Sequence, residues 1–294
     1  VVTDYERELA KVAADIAEPV NDAADVSRRV FRVYHRAGLT GRVSDLEAAF
    51  DAVDAAVAQL GPAEDLCLLR ANLALKCHRL AEAVAALELL PALATRAEGH
   101  MVLGDVDAQL GDVASAREHY ESALRLAEDD ERDWGALVRL AGLLGDDSLY
   151  AEAGEGLTAK EMRTFAWISL QRGALALREG EIDVAGWHYD VADTAYSGYW
   201  LVERHRAELA MATGQFDNAV QRYLGLAADA GPERPEVLQA LGNAYAAMGW
   251  DDDAEVWREQ ALSACLRWSA RGHVQFDHHL ADLRRGRAPL QPSP

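Results

Sequence analysis

Lysine is almost missing from this chain. Of 29 basic residues in 294, only Lys11, Lys76 and Lys160 are lysines, and the remainder are arginines. Acidic residues number 49, so the formal net charge is −20. That balance argues against nucleic acid or an anionic membrane surface as the main partner. It points to a cationic or polar protein or peptide partner, with a merely solvated acidic surface as the plainer reading. Cysteine is also scarce, at Cys67, Cys77 and Cys265. The spacing of Cys67 and Cys77 on one helix separates them by about 15 Å, too far to bridge. They read as small buried apolar side chains, which fits a reducing compartment and a cytoplasmic location. No apolar run is long enough to span a membrane. No charged head followed by an apolar run resembles a signal peptide, although an exported form that has lost a targeting segment stays open. β-branched residues are sparse and no Asn-Gly dipeptide sits between alternating runs, so a sheet is not expected.

Catalytic signatures are missing as well. There is no Gly-x-Ser-x-Gly, no phosphate-cradling glycine loop, no dinucleotide fingerprint and no His-Glu-x-x-His. We therefore name no catalytic, cofactor-binding or metal-ligating residue and expect a non-enzymatic protein without a cofactor. A site assembled from distant segments would leave no such signature.

What is present is a period. Gly41, His78, Gly111, Gly145, Gly180, Gly214 and Gly249 follow one another at 37, 33, 34, 35, 34 and 35 residues. Five places after most of them stands a small residue: Ala83, Ala116, Ala185, Ala219 and Ala254. Aromatics follow at eight or nine places (Tyr120, Tyr189, Tyr223), and alanines at twelve (Ala123, Ala192, Ala261). The unit is clearest from Pro235 to Trp268. Leu238, Leu241, Gly242 and Tyr245 share one helix face. Gly249 ends that helix, Asp251 to Asp253 open a second, and Ala254, Trp257 and Ala261 form its inner side. Gly242 lies in mid-helix at a cost of about 1 kcal/mol relative to alanine, which close approach of a partner helix would justify.

Leu241, Gly242, Tyr245, Gly249, Ala254 and Ala261 resemble the tetratricopeptide repeat, a helix-turn-helix of about 34 residues. The aromatic Trp257 stands one place before the family's usual position, which holds Arg258. The resemblance covers roughly residues 22 to 268. It implies an all-α fold, an α-solenoid wound as a right-handed superhelix of about seven helix-turn-helix units. A lead-in helix would occupy residues 1–21, opened by the capping pattern Thr3-x-x-Glu6 and stopped by Pro19. Ser44-x-x-Glu47 and Thr158-x-x-Glu161 read as further capping boxes. The unit over about 132–160 is irregular, because Gly154-Glu155-Gly156 interrupts its second helix. A capping helix is expected over about 269–286, with a disordered tail at 287–294.

In this family the first helices of successive units line a concave side that binds peptides. By position, that side would present Asn72 and Lys76, then Trp167, Leu170 and Arg178. Arg204, Glu208 and Met211 would follow, and then Glu236, Gln239 and Asn243. The aromatic group around Trp187, His188, Tyr189, Tyr196, Tyr199 and Trp200 carries more ring area than one core needs, so Tyr199 and Trp200 join the candidates. The asparagines Asn72 and Asn243 resemble part of a carboxylate clamp, but the clamp lysines are missing. An ordinary polar helix face is the competing reading for each residue. His273/Asp277 and His278/Asp282 form one-turn pairs near the end of the chain, two ligands where a metal needs more. Glu203 and His205, two apart, should face different ways. The function implied is a scaffold holding a polypeptide in the concave groove. The alternatives are a small-ligand or metal-binding module using the histidines and aromatics, or a pathway-accessory protein with a dispersed active site.

Overall fold

A computed structural model describes residues 2–127, 134–157 and 161–285. Among the described residues there are sixteen α-helices, three short 3-10 turns and no strand, and the fold class is an all-α solenoid. After α1 (Asp4–Ile16), helices pair as hairpins: α2 (Ala23–Thr40) with α3 (Val43–Leu60), α4 (Glu64–Lys76) with α5 (Leu80–Glu88), α6 (Ala97–Leu110) with α7 (Val113–Leu126). The series continues with α8 (Trp134–Leu144) and α9 (Asp147–Glu155), α10 (Met162–Arg178) and α11 (Ile182–Ala195), α12 (Trp200–Ala212) and α13 (Phe216–Ala230). The last hairpin is α14 (Pro235–Ala247) with α15 (Asp251–Ser269), followed by α16 (Asp277–Arg285).

The recurring glycines and His78 are the hinges inside the hairpins. All seven have positive φ, from 55° at His78 to 83° at Gly111. At six of them the next residue's N–H reaches back to the carbonyl five residues earlier, as in Asp112 to Asp107 at 2.9 Å and Gln215 to Ala210 at 2.8 Å. That bond satisfies a carbonyl the first helix would otherwise leave open, and it needs a left-handed residue at the bend. His78 is the one hinge with a side chain, in a region where L-residues other than Gly, Asn, Asp and His are rare.

The small residues five places after the hinges are all 0 % exposed: Ala83, Ala116, Ala185, Ala219 and Ala254. Ala123, Ala192 and Ala261, seven residues further, are equally covered. They let second helices press against first helices without a gap. On the opposing helix, a glycine receives the ring. A Cβ on Gly104 would stand 2.7 Å from Tyr120 Cδ1, and one on Gly173 would stand 2.7 Å from Tyr189 Cδ1. At Gly242 the same space is taken by the stem of Arg258, whose Cγ would lie 3.0 Å from the added carbon, with the Ala254 carbonyl at 3.2 Å. The departure at Arg258 is thus accommodated by aliphatic carbon in place of a ring.

Several boundaries differ from expectation. Helix α3 starts at Val43, a residue before Ser44, with Arg42 in the cap position and no side-chain cap. Thr40 and Asp45 instead join across the bend at 2.7 Å. Helix α1 is shorter at both ends than 3–18. Helix α15 runs on to Ser269, so the closing helix begins only at Asp277, after a 3-10 turn over Val274–Phe276. The cause is the bend at Gly272, with φ 87°. Thr158 and the 287–294 tail lie outside the described residues.

The chain divides into two compact units. One is Glu6–Ile168; the other is Ser169–Pro294 with Thr3–Tyr5. In the first, Leu66, Leu73, Ala71 and Val53 are among the fully covered side chains of the core. In the second, Ala207, Val237, Leu241 and Tyr223 fill the equivalent space. There Asp4 accepts hydrogen bonds from the Ser197 N–H at 3.0 Å and hydroxyl at 2.6 Å, which ties the opening residues to the α11–α12 connection.

Candidate functional site

The hinges supply a register for comparing first helices. Six residues before each hinge stand His35, Asn72, Asp105, Arg139, Ala174, Glu208 and Asn243. Arg139 Nε donates to both carboxylate oxygens of Asp105, at 2.8 and 3.0 Å. Asp105 and Arg139 are therefore neighbours, and the register marks a row of first-helix positions within each compact unit.

In the Glu6–Ile168 unit, Tyr120 also donates to Asp105 at 2.9 Å, so this carboxylate is held from two sides. Asn72 is half-buried and donates to the Leu68 carbonyl of its own helix at 2.8 Å. Lys76 ends α4 and is exposed, yet enough protein lies around it to strip part of its hydration. That enclosure, together with the Arg139 and Arg163 charges, lowers the affinity of its amine for a proton, and Asp105 only partly opposes them. Among the described residues no carboxylate lies within ion-pair distance of Lys76. Tyr34 faces the same two arginines, and burial raises its phenol above the usual value. Trp167 is half-buried on α10, one turn after Arg163. Arg163 meets Glu8 of α1 at 3.5 Å, and the same Glu8 oxygen is 2.7 Å from His35 Nε2.

In the Ser169–Pro294 unit the candidates separate. Arg178 is exposed at the end of α10. Tyr199 is only 5 % exposed and packs edge-on against Tyr196, with centroids 5.5 Å apart, so it presents no surface to a partner. Trp200 is half-buried beneath the guanidinium of Arg234, 3.9 Å from its ring centre. Arg234 is itself fully covered and reaches Asp229 at 3.3 Å. This is a packed cation–π pair rather than an open aromatic anchor. Arg204 Nε donates to Glu208 at 3.0 Å, and His205 Nδ1 stands 3.0 Å from the other carboxylate oxygen. Burial works to raise the Glu208 carboxyl, but the His205 hydrogen bond and the Arg204 charge outweigh it and bring it to about 2. Glu236, near Arg204, lacks such donors, and burial raises its carboxyl despite that charge. Gln239 is 2 % exposed because α16 covers it, and its Oε1 accepts from His279 Nδ1. It is a docking residue for this chain's own last helix. Asn243 is half-buried in the row, Met211 is half-buried, and Leu170 is fully covered.

Other groupings resolve differently. His205 pairs with Glu208, while Glu203 turns to Arg206 and Arg222. His273 is 1 % exposed and packs edge-on against Trp268, outside the last helix, so it forms no one-turn pair with Asp277. Trp187 is 60 % exposed, whereas its neighbours His188 and Tyr189 are buried. Among the described residues, no three of His, Cys, Asp and Glu stand together as a metal set. Cys67, Cys77 and Cys265 are buried thiols outside any disulfide, the last pushed up by burial to about 12.

The architecture is that of a helical-hairpin repeat array. Residues 97–130 match the tetratricopeptide repeat family, and this segment spans α6 and α7. One hairpin thus matches that family in sequence, and the chain as a whole has the fold of an all-α repeat solenoid. Similar solved structures include the Cut9 and Hcn1 hetero-tetramer of the APC/C, at 14 % identity and a TM-score of 0.63. The match covers 94 % of this chain and 54 % of that one, so the chain spans about half its length. A tetratricopeptide repeat protein from Parabacteroides merdae is similar at 14 % identity and a TM-score of 0.53, over 82 % of this chain and 98 % of that one. No curated protein sequence matches the chain. Proteins of this fold generally mediate protein–protein interactions.

Proposed function

We propose that this protein is a non-enzymatic scaffold that positions a polypeptide partner on the row of first-helix positions in its Glu6–Ile168 unit. The observation that carries the reading is the bond between Arg139 and Asp105, 34 residues apart in sequence. It makes one preformed polar surface out of separate hairpins. Such a surface loses little conformational freedom on binding, which leaves more of the contact energy as affinity. Buried Cys67, Cys77 and Cys265, held as thiols, fit a reducing, cytoplasmic setting for this work.

Site-specific photo-crosslinking tests it. A crosslinker at Lys76 or Asn72 should capture a polypeptide, while one at exposed Arg117 or Glu121 on α7 should not. Capture from α7 alone would overturn the proposal.

A further inference from the structure

The row face of the Glu6–Ile168 unit runs against the charge of the whole chain. Lys76 there feels the charges of Arg139, Arg163 and Asp105, and Tyr34 those of the same two arginines. Arg139 is engaged with Asp105, but among the described residues Lys76 has no ion-pair partner, and Arg163 meets Glu8 only at 3.5 Å. The net charge of −20 acts over distances that salt shortens to about 8 Å under physiological conditions. At contact range the local cations decide what binds.

A second observation indicates the kind of ligand. A carboxylate-bearing helix already lies on this face, and it comes from the chain itself. Leu9, Val12 and Ile16 of α1 form a stripe at helical spacing, with Val12 4 % exposed and the other two half-buried. Beside the stripe, Glu8 meets His35 at 2.7 Å as well as Arg163. Further along, Arg32 donates to the Asp15 carbonyl at 2.6 Å and to Glu18 at 2.7 Å. These ion pairs are partly exposed, and such pairs hold weakly. Asp4 and Tyr5 anchor the start of the helix at Ser197, while its later turns offer one buried valine, two half-covered side chains and these partly exposed links. Among the described residues Lys76 has no carboxylate within ion-pair distance.

We infer that this face is the docking site for an acidic amphipathic helix of a partner protein, and that α1 sits there as an intramolecular stand-in which the partner displaces. The inference rests on the scaffold reading and specifies its ligand. An apolar stripe of the partner would replace Leu9, Val12 and Ile16. Its carboxylates would meet His35 and Arg163, as Glu8 does, and would add the bond to Lys76 that α1 does not make. This local preference is opposite to the cationic partner that bulk charge suggests.

The test uses the full-length chain and a fluorescein-labelled synthetic peptide with the sequence of residues 2–18, read by fluorescence anisotropy. Glu8→Ala should loosen α1 and tighten peptide binding by roughly tenfold, because a site occupied most of the time by its own strap charges that fraction to any competitor. Amide exchange in residues 4–16 should quicken in this variant while that of α4 and α6 stays unchanged, which separates release from unfolding. Adding Lys76→Glu or Arg163→Glu to Glu8→Ala should each weaken the peptide about tenfold. A peptide carrying glutamine in place of Glu8 should bind the Glu8→Ala chain more weakly than the parent peptide. Equal peptide affinity for wild type and Glu8→Ala, or no loss on Lys76→Glu, would overturn the inference. If the peptide fails while a crosslinker at Lys76 still captures a polypeptide, the acidic-helix reading falls and the scaffold reading stands. If both fail, the scaffold reading falls with it.

Discussion

Glycine-to-alanine substitution should have opposite signs at two helical positions of the same unit. Gly173 in α10 faces the ring of Tyr189, which is 0 % exposed, and an added Cβ would lie 2.7 Å from Cδ1 and 3.1 Å from Cζ. The ring cannot retreat, since on its other side it stacks against His205 with centroids 5.4 Å apart. Forcing a methyl into such a contact costs about 1–3 kcal/mol. Alanine offsets part of that through its higher helix propensity, by about 0.5–1 kcal/mol. Gly173→Ala should therefore lose roughly 1–2 kcal/mol. Gly225 in α13 is also helical, but an added Cβ meets nothing within 4 Å. Gly225→Ala should gain about 0.5–1 kcal/mol, because only the propensity term remains. Urea midpoints followed by far-UV circular dichroism compare the two directly, and one unit reports both. Trimming the ring in Gly173→Ala/Tyr189→Leu should cost less than the sum of the single changes, by at least about 0.5 kcal/mol. Midpoints moving in the same direction for Gly173→Ala and Gly225→Ala would refute the nesting of ring on glycine.

Two further predictions concern hydroxyls and acid. The Tyr189 hydroxyl is buried and finds no hydrogen-bond partner among the described residues, whereas that of Tyr120 bonds Asp105. Tyr189→Phe should be neutral or stabilising by up to about 1 kcal/mol, and Tyr120→Phe should lose about 1 kcal/mol, in the same denaturation assay. Burial and the neighbouring His278 bring His279 from the usual 6.5 down to about 4. A base depressed in the folded state binds fewer protons than when unfolded, so its contribution is full above pH 6.5 and is lost as pH falls towards 4. Amide exchange in α16 should accelerate across that window, and His279→Gln should flatten the response. An α16 equally protected at pH 7 and pH 4 would contradict this.

The hairpins are legible in the chain because their hinges demand a rare backbone conformation. Glycine is the inexpensive way to meet it, so the demand surfaces as a periodic letter, and even His78 belongs to the short set of residues that tolerate it. The alanines are legible for a related reason: zero clearance between helices admits few side chains. The final helix is less so, since histidine-rich and acidic residues carry no hinge signal until Gly272 is recognised as one.

The candidate site is only half legible. Asn72 and Lys76 lie on α4, Glu208 on α12 and Asn243 on α14, each the first helix of its hairpin. Tyr199 and Gln239 do not present themselves, because Tyr196 and α16 cover them, and coverage by a later segment leaves no mark near the covered residue. Arg139, Asp105 and Arg163 escape notice for another reason. Asp105 and Arg139 pair through equal distance from a hinge, and reading residues by chemistry alone does not align α6 with α8; Arg163 pairs instead with Glu8 of the distant α1. Counting six back from each hinge would have placed His35, Asp105 and Arg139 in one row.

The intervals between hinges vary from 33 to 37 residues, yet each hinge-to-alanine step is constant at five wherever the alanine occurs. The slack lies elsewhere, in the long α3 and in the 3-10 turns at Pro91–Thr95 and Gly231–Glu233 that connect one hairpin to the next. Length can thus be edited at the seams between hairpins and not at their bends. A peptide tag or a sensor domain spliced in after Pro91 or Pro232 would leave each folded pair intact, whereas a single extra residue beside Gly111 would rotate every later side chain of α7 away from its seat.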